Sequence, residues 1–173
     1  MDRDVTYRNR GTLFVIHYIG HGVSESDRKF EICGTRSPDA VRILWSSIYL
    51  GMKADVLVLI DTSYPGNFSE PYHSLQNMLL WSRFNENSPE YLFSIGNEIP
   101  DQNSPTYDVN KSFTTRLTQL LYTASPAPVT VAQLHEALCT QANDPNTKLR
   151  YTPQYMDRYR KPTVVLQRLN NRV

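Results

Sequence analysis

Residues 54–60 read ADVLVLI, a run in which apolar side chains occupy both faces of any extended backbone. The run is too short for an ordinary helix, and consecutive Val, Leu and Ile leave no face for water. Such a strand is stable only between two covering layers, the situation of a parallel strand with helices on both sides of its sheet. This one segment therefore commits the chain to a sheet with a buried centre.

The rest of the sequence supplies the other layers. TLFVIHY (12–18) is rich in β-branched and aromatic residues and predicts a second buried strand. SPDAVRILWSSIYLG (37–51) predicts a helix: Ser37 can cap it, Pro38 suits its first position, Asp39 complements its positive end, and Gly51 stops it. A helix is expected over 71–84, a strand over 90–95, a long Pro/Asn/Asp-rich loop over 96–111, and a helix over 112–123. Thr130 with Gln133 makes a capping box for a helix over 131–142, and PTVVLQRL (162–169) closes the chain as a strand. Alternating strands and helices give an α/β fold with a mostly parallel sheet flanked by helices, and 173 residues suit one domain. Strands over 12–18, 54–60, 90–95 and 163–167 are expected to share that sheet.

Charge and cysteine usage narrow the function classes. Lys and Arg number 18 against 17 Asp and Glu, so no net field draws nucleic acid or an anionic membrane to the whole surface. Basic residues interleave with tyrosines in RYTPQYMDRYRKP (150–162), but one short loop of this kind serves as a solvated or interface segment rather than a nucleic-acid face. Cys33 and Cys139 form no CxxC or Cys/His motif, so neither a disulfide framework nor a metal site is expected. With a polar start and no apolar run long enough to span a bilayer, a reducing, cytoplasmic setting is the expectation, without a membrane partner. His17, His73 and His135 are assigned structural, surface or capping roles.

The chemistry gathers where the first strands run out. FVIHYIGHG (14–22) ends in His21-Gly22, and DVLVLIDTSYPG (55–66) passes through Asp61-Thr62-Ser63. In parallel sheets ligands sit beyond the carboxyl ends of the strands, so these tips are expected to converge. A His on one tip and a small nucleophile on the next is what nucleophilic acyl transfer needs, with backbone N–H groups at glycine turns available to an oxyanion.

HYIGHG together with DVLVLIDTSYPGNF resembles the caspase and metacaspase superfamily, whose catalytic His-Gly and Asp-x-Cys-x-x-Gly or Gln-Ala-Cys-x-Gly turns read similarly. Ser63 follows His21 by 42 positions, compatible with the roughly 50 of caspases. YLFSIGNEIP, SFTTRLTQLL and VTVAQLHEAL are similar to the family's small-subunit region. The resemblance thus implies one caspase-like domain over 1–173, with a large-subunit-like part over 12–95 and a small-subunit-like part over 96–173. It implies His21 as general base, Ser63 at the nucleophile position, and the N–H groups of Gly22 and Ser63 as oxyanion donors. Asp61 and Glu98 match the acids with which metacaspases accept a basic side chain, through charge-assisted hydrogen bonds. Calcium is the one ion the resemblance brings with it; no other cofactor is expected.

Two departures shape the expected function. The family nucleophile is Cys, and a serine hydroxyl, unlike a thiol of pKa ~8.5, depends wholly on its base. The chain is therefore expected to be an inactive or impaired peptidase-like domain that binds peptides or protein partners in cell-death or regulatory signalling. The alternative is an active endopeptidase cleaving after basic residues, with Cys native at 63 or the serine itself at work. The second departure is a shortened amino end, which implies either a sheet completed by a missing segment or a partner chain, or a strand edge left open to aggregation or dimerisation. Outside this family, a serine hydrolase would want Gly-x-Ser-x-Gly and a nucleotide-binding domain a Gly-rich phosphate loop; neither is present.

Overall fold

The computed structural model describes residues 12–24, 30–34, 39, 41–44, 54–65, 89–94, 112–124, 126–144, 146, 149, 151–157 and 162–167. The chain divides into two compact units, Met1–Pro89 and Glu90–Val173. The expected helix over 71–84 and the expected loop over 96–111 lie outside the described residues.

The first unit is a sheet of β1 (Leu13–Ser24), β2 (Phe30–Cys33), β3 (Arg42–Leu44) and β4 (Asp55–Pro65), in the order β3-β2-β1-β4. β1 and β4 run parallel over ten partnered positions from Leu13 opposite Asp55 to Gly22 opposite Pro65. β1 with β2 and β2 with β3 are antiparallel over four and three positions. Most partnered positions in this sheet are therefore parallel, and with helices in the second unit the chain has the α/β class its sequence indicates.

β4 meets its expectation residue by residue: Val56, Leu57, Val58, Leu59 and Ile60 are all buried, so both faces of the strand are covered. β1 does not. Val15 and Ile19 are 52% and 61% exposed and His17 is exposed too, while Phe14, Ile16 and Tyr18 alternate with them half-buried. A run of Leu, Phe, Val and Ile carries no polar marker of its outward face, so its composition hid a period-two pattern.

The helix expected over 37–51 is overturned at Arg42–Leu44, which forms β3. Ile43 stands opposite Ile32 and is 48% exposed, and Val41, whose helical spacing with Leu44, Trp45 and Ile48 predicts a buried helix face, is 82% exposed. Edge pairing to β2 outweighs the helix-start residues here, and the β-branched Val and Ile suit it. The strand β2 itself was not anticipated. Both strands also run past the tips at which they were expected to stop, β1 to Ser24 and β4 to Pro65.

The second unit holds β5 (Glu90–Phe93), α1 (Phe113–Ala124), β6 (Val129–Thr130), α2 (Val131–Asn143), β7 (Gln154–Met156) and β8 (Val165–Leu166). Ser112 starts α1, its hydroxyl accepting from the Thr115 N–H at 3.2 Å, and Phe113 and Leu117 face the core. The capping box of α2 forms as expected: Thr130 Oγ1 accepts from the Gln133 N–H at 3.1 Å, and Gln133 Oε1 accepts from the Thr130 N–H at 2.9 Å. Val131, Leu134 and Leu138, at i, i+3 and i+7, bury one face of that helix.

β5 and β7 pair antiparallel, Leu92 opposite Tyr155, so part of the Tyr-rich basic segment is a strand rather than loop. The closing strand forms as β8, but it pairs with β6 in a ladder separate from β5 and β7, against the expectation of one shared sheet. Glu90 ties these pieces together. Fully buried at the start of β5, it accepts hydrogen bonds from the Tyr155 hydroxyl at 2.7 Å, from the Thr163 hydroxyl and from the Val164 N–H. A buried carboxylate is tolerable only when donors enclose it in this way.

Candidate active site

The parallel ladder between β1 and β4 is interrupted at one place. Gly20 stands opposite Thr62, but the next pair is His21 opposite Tyr64, so Ser63 is passed over. An extra residue in one strand is a β-bulge; it raises the local twist, and bulges are over-represented beside active sites. The backbone thus sets Ser63 against the Gly20–His21 step of the neighbouring strand. Gly22, the expected oxyanion donor, follows opposite Pro65 on β4 and Ile32 on β2.

The residues just before His21 are braced. A Cβ on Gly20 would lie 2.6 Å from the Tyr18 hydroxyl, because the Tyr18 ring crosses over that position. The hydroxyl donates to the Cys33 carbonyl at 3.2 Å, linking β1 to β2. A side chain at position 20 would have to displace the Tyr18 ring from this path.

Asp61, two residues before Ser63, is half-buried near the carboxyl end of β4, opposite Ile19, and Thr62 beside it is buried. Glu98, the second expected acid, lies outside the described residues. Cys33 stands directly opposite His21 across the antiparallel β1–β2 pair, buried and in no disulfide. The sequence separated those two residues into unrelated segments; only the β1–β2 pairing brings them level.

His135 departs from the surface or capping role expected of it. It is half-buried on α2, stacks on Tyr155 with ring centroids 5.6 Å apart, and its Nε2 lies 3.1 Å from the Pro153 carbonyl oxygen. Cys139, one turn along, sits 3.2 Å from the same nitrogen, and burial pushes its thiol pKa up. Its i, i+4 spacing from His135 was the available signal. Among the described residues no group of three or more His, Cys, Asp or Glu side chains gathers, and no helix is long and apolar enough to cross a membrane. No family model matches the chain, and neither does a curated protein or a solved structure.

Proposed function

We propose that the chain is a caspase-like domain in which His21 and Ser63 hold the base and nucleophile positions, and that it recognises peptides bearing a basic side chain without efficiently cleaving them. The observation that supports this reading is the interrupted β1–β4 ladder, which sets Ser63 beside the Gly20–His21 step with Asp61 two residues away. Asp61 supplies the negative charge for an Arg or Lys side chain, and Glu98 is its proposed companion. Gly22 and Ser63 are the proposed N–H donors to an oxyanion. Replacement of thiol by hydroxyl removes the ionised nucleophile and leaves recognition in place. Two cysteines in no disulfide fit the reducing, cytoplasmic setting proposed here; the regulatory or cell-death role rests on the family resemblance alone.

The test is cleavage of Arg- and Lys-peptide amides by the native chain and by Ser63→Cys, with and without calcium. Activity appearing only with Cys, and lost again on adding His21→Ala, is the expected result. Strong turnover by the serine form would make the chain an active endopeptidase instead. Calorimetry with Arg-ended and Asp-ended peptide aldehydes tests specificity separately; equal or reversed affinity removes the acidic-pocket assignment.

A further inference from the structure

We infer that His135, Cys139 and the Pro153 carbonyl form a binding site for a borderline-soft divalent cation of the Zn2+ class, independent of the residues proposed for peptide recognition. The three donor atoms face one another closely. His135 Nε2 is 3.2 Å from Cys139 Sγ and 3.1 Å from Pro153 O, and Sγ is 3.9 Å from that oxygen. At most one imidazole proton and one thiol proton are available to separate three electron-rich atoms. A tetrahedral zinc with bonds of ~2.0–2.3 Å holds its donors about 3.4–3.6 Å apart, so these separations need adjust by only a few tenths of an ångström.

The donor set also selects the ion. Thiolate and imidazole favour zinc over magnesium or calcium, which take oxygen ligands. On binding, the Cys139 S–H bond breaks, its proton leaves to solvent, and the sulfur lone pair forms the metal bond. His135 coordinates as the neutral ring through Nε2.

The frame around the donors is rigid. His135 and Cys139 are one turn apart on α2, whose start is fixed by the Thr130–Gln133 capping box. The His135 ring stacks on Tyr155, and Tyr155 is in turn anchored by its hydrogen bond to Glu90. Such outer contacts orient metal-binding imidazoles. His135 and Cys139 are both half-buried, which leaves the fourth position open to water or an exogenous ligand.

The experiment uses the full chain, stripped with chelator and titrated with Zn2+ and with Co2+. One ion per chain, a thiolate-to-cobalt charge-transfer absorption, and loss of both in Cys139→Ser and in His135→Ala are expected. Because either variant could fold poorly, alkylation of the unaltered chain provides a second readout. Zn2+ should slow modification of Cys139, followed by peptide mass spectrometry, while buried Cys33 stays unmodified with or without the ion as a check that the chain remains folded. Binding that persists in both variants, or Cys139 alkylation indifferent to saturating Zn2+, overturns the site and leaves the cluster a hydrogen-bonded brace between α2 and Pro153.

Discussion

Asp61 and Glu90 are both carboxylates on strands beside strongly buried apolar runs, yet they sit in opposite circumstances. Glu90 opens β5, is fully enclosed, and has both carboxylate oxygens occupied by donors from Tyr155, Thr163 and Val164. Asp61 stands near the carboxyl end of the parallel strand β4, half-exposed, where the ladder to β1 is about to skip a residue. Enclosure turns a carboxylate into a fastening between segments. Partial exposure at the end of a parallel strand leaves one able to meet a ligand. The acid that looks unusual by burial is thus the structural one, and the ordinary-looking acid is the one proposed for recognition.

Breaking the fastening should have the largest effect. Glu90→Ala leaves three donors without their acceptor, and a loss on the order of 4 kcal/mol is expected, read as a lower urea midpoint. A loss below about 1 kcal/mol would mean that Glu90 is not what joins β5 to the segment around residues 163–164. Leu57→Ala, at a fully buried position of β4, should cost about 3 kcal/mol. Val15→Ala on β1, half-exposed and opposite Leu57, should cost about 0.5 kcal/mol or less; equal losses would show that β1 is covered in solution. Thr130→Ala removes the hydroxyl half of the α2 capping box, for a loss of about 1 kcal/mol in thermal or chemical unfolding.

The alkaline limb of the stability profile sharpens the contrast further. Burial, reinforced by Glu90 against the lowering effect of the Thr163 hydrogen bond, pushes the Tyr155 pKa from near 10 up to about 12. The folded chain then keeps a proton that the unfolded chain releases, so this contribution is complete below about pH 10 and fades as pH rises toward 12. Tyr155→Phe should flatten that part of the curve relative to the unaltered chain, and an unchanged slope would separate Tyr155 from Glu90. Asp61→Ala should change stability as little as Val15→Ala does, by about 0.5 kcal/mol, while affinity for Arg-ended peptides falls. Retained affinity would undo the functional half of the comparison.

What the sequence made legible follows from how local each signal is. β4 was readable because an apolar run without polar relief admits one environment, and α2 because Thr130 and Gln133 recognise each other within one turn. β1 was readable as a strand but not for its exposed face, since Val15, Ile19, Phe14 and Ile16 look alike chemically. β3 was misread because Ser37, Pro38 and Asp39 just before it satisfy helix-start rules locally, whereas the partner of Ile43 is Ile32 on another strand. The candidate site divides the same way. His21, Ser63 and Asp61 announced themselves by type and flanking glycines, but Cys33 opposite His21 and the skipped position at Ser63 are facts of register, which no single segment encodes.

The skipped position also says how this chain tolerates changes in length. Removing a residue from a buried parallel strand ordinarily slides everything after it and turns each side chain to the wrong face. Residue 63 is the exception in β4. Thr62 already faces Gly20 and Tyr64 already faces His21, so a chain one residue shorter at this point would close the ladder with every other partner retained. Length variation between related strands is therefore most readily absorbed at the position proposed for the nucleophile. A relative one residue shorter here would keep the strand pairing and lose the proposed nucleophile, so the ladder and the chemistry can part company at a single position.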